Sequence, residues 1–175
     1  MKKKIQYIIG IIVVAALIAL DQISKILAHN AFASGDDKVI INKILEFTYL
    51  ENKGAAWGMF AGKQFFFIAL TVILIFAVIF LLIKLPEGKR YTPARIISWV
   101  LLAGAVGNMI DRIAFGYVRD FINCVFIDFP VFNVADIYVS LSMVALVIFI
   151  LFFYKDKDFD FLKRKKKKEP DNNNE

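Results

Sequence analysis

Two carboxylates carry the chemistry open to this sequence. Asp120 stands in Val118-Arg119-Asp120-Phe121, and Asp136 ends Asn133-Val134-Ala135-Asp136, just before an apolar run. Carboxylates held a few ångströms apart do not readily both ionise, and they share a proton. The ionised member can then take a proton from water while the protonated member donates a hydrogen bond to a carbonyl. That is amide hydrolysis without a metal ion or a side-chain nucleophile. The plainer alternative is that each Asp caps a helix, since acidic residues are favoured just before or within a first helical turn. Sequence alone does not give their separation.

Further polar residues cluster in short blocks. Asp21 and Lys25 lie at i and i+4, where they can neutralise one another as a structural ion pair or brace a site. Asn52-Lys53-Gly54-Ala55-Ala56-Trp57-Gly58 combines an amide with glycines that permit close backbone approach. It reads equally as a turn re-entering a membrane, with Trp57 at the interface. Asn108, Asp111 and Arg112 recur at helical spacing after the small residues Gly104-Ala105-Val106-Gly107, a pattern that also serves helix packing. Other chemistries have less support. His29 is the single histidine and Cys124 the single cysteine, which argues against multi-histidine or multi-cysteine metal sites. His29 reads as a surface residue and Cys124 as a small apolar one. No phosphate-binding loop and no HExxH are present, and Asp128, between Ile127 and Phe129, says little. No metal and no cofactor is expected.

The elements that must position these residues are membrane spans. Of the 175 residues, 59% are hydrophobic and 18 are Phe, against roughly 45–50% apolar in an average soluble domain. Four apolar runs predict spans at about 5–27, 65–85, 95–111 and 136–154. The first and third are long enough only with their polar ends, so those ends belong near a membrane boundary, held by protein contacts. Most of the 22 Lys and Arg fall before the first span, around the second connection and in the tail. This places both termini in the cytoplasm and the loops at 28–64 and 111–135 outside.

Lys2–Lys4, the apolar run and Ala31-Phe32-Ala33 imitate a secretory signal peptide, but Asp21 to Lys25 interrupts the run, and a retained span is expected. Val39 to Leu50, rich in Ile, Val, Thr, Tyr and Phe after the turn signal Gly35-Asp36-Asp37, predicts short strands. The net charge of +6 is concentrated in the run Lys163 to Lys168, which suits anionic lipid rather than nucleic acid. Residues 1–155 are expected to form one domain, and 156–175 a basic cytoplasmic tail without fixed structure. The fold class is an all-α polytopic membrane protein of four transmembrane helices with a small extracytoplasmic sheet.

The blocks Asp21-Gln22-Ile23-Ser24-Lys25, Asn52 to Trp57, Gly107-Asn108-Met109-Ile110-Asp111-Arg112, Val118 to Phe121 and Phe132 to Asp136 stand in that order across residues 5 to 155. Together they closely resemble the bacterial lipoprotein signal peptidases (signal peptidase II). The resemblance implies an aspartic endopeptidase of the bacterial cytoplasmic membrane. Such enzymes remove the signal peptide from diacylglyceryl-modified prolipoproteins, cutting just before the lipidated cysteine. It also implies a short extracytoplasmic helical loop, a site near the extracytoplasmic face and inhibition by globomycin-type peptides.

By motif, the catalytic pair would be Asp120 and Asp136. Asp21, Lys25, Asn52, Gly54, Asn108, Asp111, Arg112, Asn133 and Ala135 would bind substrate or brace the site. Arg112 and Asn108 would hold substrate carbonyls and Asn133 would orient Asp136, whereas Arg119 falls where the family varies. Two other classes remain open on the residues alone. A small transporter would place its carboxylates along a traversing cavity, and an assembly factor would not need them.

Overall fold

Apolar runs too long for a soluble core become four helices: α1 (Lys3–Phe32), α2 (Gln64–Lys84), α3 (Thr92–Phe115) and α4 (Val134–Ile148), the last extended by a π-helical end at Phe149–Phe153. The structure is a computed structural model that describes residues 3–35, 37–54, 62–127 and 129–162. Each helix is long and apolar enough to cross a membrane. Phe65, Ile73, Phe76 and Leu151 point outward, as lipid rather than water would allow.

The helix buried along much of its length is α3, which packs against α1, α2 and α4. Its small residues make this possible. A Cβ on Gly104 would lie 2.6 Å from the Ala135 carbonyl oxygen, and one on Gly107 would lie 2.6 Å from the Asp21 carboxylate. Backbones that close gain dispersion contacts unavailable to larger residues, the main attraction between helices in lipid. Away from the polar residues, Val78 and Leu82 of α2 pack on Leu101 and Leu102 of α3, with Val14 and Trp99 around them.

Two helices run further than expected. The first passes residue 27 to Phe32, and the third passes 111 to Phe115. The charges taken for boundary markers, Lys25 and Asp111, are paired inside and do not end their helices. Gly116 stops α3 instead: at φ +77° its N–H caps the Arg112 carbonyl at 3.2 Å. The last turns of α1 dock on the sheet through Phe32 against Phe47 and His29 against Tyr49.

The sheet is antiparallel, in the order β1 (Lys38–Ile41), β2 (Leu45–Asn52), β3 (Val118–Cys124). The hairpin β1–β2 falls where strands were expected. A strand at β3 was not expected. Val118, Arg119, Asp120 and Phe121 are all buried, so no alternation marks it. Its other side is pinned by Phe132, whose carbonyl accepts from the Phe121 and Ile122 N–H groups at 3.0 and 2.8 Å. The helical loop after β3 is a single 3₁₀ turn, Val125–Ile127.

The tail departs from expectation up to Leu162. Asp156–Leu162 forms a 3₁₀ helix, because Arg90 holds Asp158 through two hydrogen bonds of 2.6 and 2.5 Å. Arg90 also holds the Asp158 carboxyl down at about 2. Tyr91, stacked on Tyr154, and Phe161 complete the contact. The basic run 163–168 and residues 170–175 lie outside the described residues, as do Asp36, Ala55 to Gly58 and Asp128.

Gly104→Val should force α3 and α4 apart and cost roughly 1–3 kcal/mol. Thermal unfolding in detergent would show a lowered midpoint, and an unchanged midpoint would contradict the close crossing.

Candidate active site

A cavity of about 410 Å³ lies between the end of the sheet, α3 and the start of α4, with Asn52, Arg112, Asp120 and Asp136 among its lining residues. Asp120 reaches it from β3 and Asp136 from the first turn of α4. One residue joins them. Asn133 donates its side-chain amide to Asp120 Oδ1 at 2.6 Å, and its backbone N–H to Asp136 Oδ2 at 3.1 Å. Its own Oδ1 accepts the Asp136 N–H at 3.1 Å, completing a capping box that starts α4. Because Phe132 is hydrogen-bonded to β3 and Asn133 follows it, strand and helix are fixed relative to each other.

Each carboxylate oxygen has one amide donor. Asn52 Nδ2 donates to Asp120 Oδ2 at 2.8 Å, and Asn108 Nδ2 to Asp136 Oδ1 at 2.7 Å. Asn52 also accepts the Gly54 N–H at 2.9 Å, which holds the turn leaving β2 and puts Gly54 in the cavity wall. Amides orient a carboxylate without cancelling its charge, and each oxygen keeps a second lone pair for a proton or water.

Behind the cavity, other acids receive cations. Lys25, with no exposed surface, lies 3.0 Å from Asp21 and 3.4 Å from Asp111, and donates to Asn108 Oδ1 at 2.9 Å. Arg119 meets Asp111 through Nη2 at 2.7 Å and Nε at 3.2 Å. Asp21 Oδ1 accepts the Ala135 N–H at 2.9 Å, tying α1 to the start of α4. Ala135 is fully buried, against Gly104 and Gly107.

The expected site residues therefore fall into two groups. Asn52, Gly54, Arg112, Asp120 and Asp136 line the cavity, while Asp21, Lys25, Asn108, Asp111, Asn133 and Ala135 lie behind it. Asn108, expected to hold a substrate carbonyl, is bonded to three other side chains of the site. It is buried, its NH₂ donates to Asp136, and its oxygen accepts from both Lys25 and Asn133. Arg112 is in the wall, its guanidinium over the Phe67 ring. Gln22 and Arg119 were missed. Gln22 bridges Asp21, the Gly107 carbonyl and Asp111, and its position one residue after Asp21 was the only hint.

Burial first, and then the nearby Asp136 charge, push the Asp120 carboxyl up to about 7, against the lowering effect of Asn52, Asn133 and Lys25. An unfolded Asp titrates near 3.9. Since the folded value is higher, Asp120 weakens the fold as pH rises from about 4 through 7. In protein carrying ¹³C-labelled Asp in detergent, the Asp120 signal should titrate near 7, and lower in Asp136→Asn. A titration near 4 in the wild-type chain would contradict the coupled, desolvated pair.

Residues 13–152 match the family model described as signal peptidase (SPase) II. A lipoprotein signal peptidase of Clostridium tetani is 40% identical over 144 residues, covering 81% of this chain and 91% of that one. One of Lactococcus lactis subsp. cremoris is 42% identical over 142 residues, covering 81% and 91%. Among solved structures, a bacterial membrane enzyme determined by the in meso method superposes with a TM-score of 0.73 at 31% identity, over 90% of this chain and 93% of that one. In sequence and in fold, this four-helix chain belongs to the signal peptidase II family.

Proposed function

We propose that this protein is an aspartic endopeptidase that removes signal peptides from diacylglyceryl-modified prolipoproteins, with Asp120 and Asp136 as its catalytic pair. The observation that carries the reading is the shared Asn133, which holds both carboxylates at one cavity. The relatives named lipoprotein signal peptidase support the substrate class. The cavity wall joins these acids to Phe129, Phe132, Ile137 and Leu141. Leu141 is 65% exposed on a lipid-facing helix, which suits a substrate whose acyl chains stay in the bilayer.

In the mechanism, a water molecule lies between the carboxyls. The ionised one takes its proton as the oxygen attacks the scissile carbonyl carbon. The protonated one donates to the developing oxyanion. Collapse of the tetrahedral intermediate breaks the C–N bond, and the leaving amine of the lipidated cysteine takes up a proton from the pair. The pair titrates as a unit, so base and acid are roles of the dyad rather than of either residue. Arg112, with donors in the wall, holds a substrate carbonyl. The charge distribution favours cytoplasmic termini and a site facing outward, and residues 1–155 act as one catalytic unit. Globomycin-type peptides would occupy the same cavity.

A transporter would space its acids along a path through the bundle. Here Asp120 sits on a strand and Asp136 in a first helical turn, at one end of the helices, which favours hydrolysis.

Purified protein in detergent should cut a diacylglyceryl-modified prolipoprotein just before the lipidated cysteine. Asp120→Asn and Asp136→Asn should remain folded and lose roughly 10²–10⁴-fold in rate. Folded variants that cleave at the wild-type rate would refute the assignment.

A further inference from the structure

Directly beside Asp120, Arg119 is buried and turned the other way. Successive side chains on a strand point to opposite faces. Asp120 faces the cavity amides, and Arg119 faces α1 and α3. Its backbone N–H and Nε donate to Asp111 Oδ2 at 3.0 and 3.2 Å, and its Nη2 donates to Asp111 Oδ1 at 2.7 Å and to Gln22 Oε1 at 2.8 Å. Its guanidinium lies over the Phe115 ring at 4.6 Å. The β2–β3 pairing is irregular at this point. Phe47 pairs with Ile122 and Leu50 with Asp120, so β2 carries one residue more than β3 across the step. A bulge of this kind leaves the ladder weak where Asp120 needs a fixed position.

We propose that Arg119 and Gln22 form a positioning brace that locks the register of β3 and so aims Asp120 into the cavity. A slip of one residue would exchange the two faces. Arg119 would enter the cavity, and Asp120 would meet the carboxylate of Asp111. The arginine fork makes that exchange costly, because Asp111 would keep only Lys25 for the buried acids around it and would face a second carboxylate. Gln22 extends the brace to α1, donating to Asp21, Asp111 and the Gly107 carbonyl while accepting from Arg119.

The brace also sets the charge behind the pair. Around Arg119 and Asp120 stand Asp21 and Lys25 from α1, Tyr49 and Glu51 from β2, Asp111 and Arg112 from α3, Tyr117 ahead of β3, and Asp136 from α4. With Arg119 present, the buried set Asp21, Lys25, Asp111 and Arg119 is neutral. Without it, one negative charge remains uncancelled close to the dyad, and the shared proton is held more tightly.

This inference rests on the catalytic reading of Asp120, and its test separates the two. Steady-state kinetics and pH–rate profiles would be recorded on the full chain in detergent with lipidated prolipoprotein, for wild type, Arg119→Met, Arg119→Lys, Gln22→Leu and Asp120→Asn. Neither brace residue lines the cavity, so KM should stay within about two-fold in the brace variants. Misplacement of Asp120 should lower kcat by roughly 10–100-fold in Arg119→Met. Its basic limb should also move to higher pH. Arg119→Lys should return the limb while recovering only part of kcat, because an ammonium restores the charge but not the fork. Gln22→Leu removes no charge, and should lower kcat with the limb in place.

Wild-type kcat and limb in folded Arg119→Met and Gln22→Leu would overturn the brace, as would a rise in KM at unchanged kcat. If Arg119→Met does not fold, Arg119→Lys and Gln22→Leu decide by the same readouts. An active Asp120→Asn would instead overturn the catalytic reading. An inert Asp120→Asn beside wild-type brace variants would overturn the brace alone.

Discussion

Everything at the polar end of this bundle depends on how four buried charges are satisfied. Asp21, Lys25, Asp111 and Arg119 are almost entirely without exposed surface. Removing an ion from water costs several kcal/mol even after relaxation, and lipid supplies no partner. The ions are therefore stable only together, with Lys25 between Asp21 and Asp111 and Arg119 closing the other side of Asp111. Because the four come from α1, α3 and β3, neutralising them assembles those elements. Asp21 adds α4 through the Ala135 N–H. The small residues of α3 follow from the same need, since a side chain at Gly107 would collide with the Asp21 carboxylate.

The acids of the molecule are thus treated in two ways. Those behind the cavity are given cations and serve as fixed charges. Asp120 and Asp136 are given the amides of Asn52, Asn108 and Asn133. Amides fix a carboxylate in space and lower its proton affinity by less than burial and its neighbour raise it, which leaves Asp120 with the raised value that acid–base work requires. Asn133 and Asn108 sit on the border between the two sets, since Asn108 touches both Lys25 and Asp136. Through that amide, the charged cluster holds the dyad in place without neutralising it.

Much of this was legible in the chain, for reasons that can be named. Residues 65 to 85 carry no charge before Lys84 and one polar residue, Thr71, and such a run has few fates outside lipid. Asp21 and Lys25 are one turn apart, so their pairing follows from helix geometry. Strand β3 was hidden because it is buried on both faces, and four buried residues in a row carry no period. Gln22 meets Arg119 across 97 positions, a contact no local pattern encodes. The partners of Asn108 were not legible because they come from α1, α4 and the turn before α4, and only the assembled bundle brings them together. The tail was read by composition, which hid the pairing of Asp158 with Arg90.

The central claim is that Asp120 and Asp136 work while sharing one proton. The pH dependence of kcat/KM for the wild-type enzyme on lipidated prolipoprotein tests it most directly. With Asp120 raised to about 7 by burial and by Asp136, the singly protonated pair is lost as pH rises through that value. The rate should follow a bell, falling tenfold per pH unit on its alkaline side above about 7. A rate that stays level from about pH 5 to about pH 9, roughly two units either side of the expected limb, would contradict the shared proton.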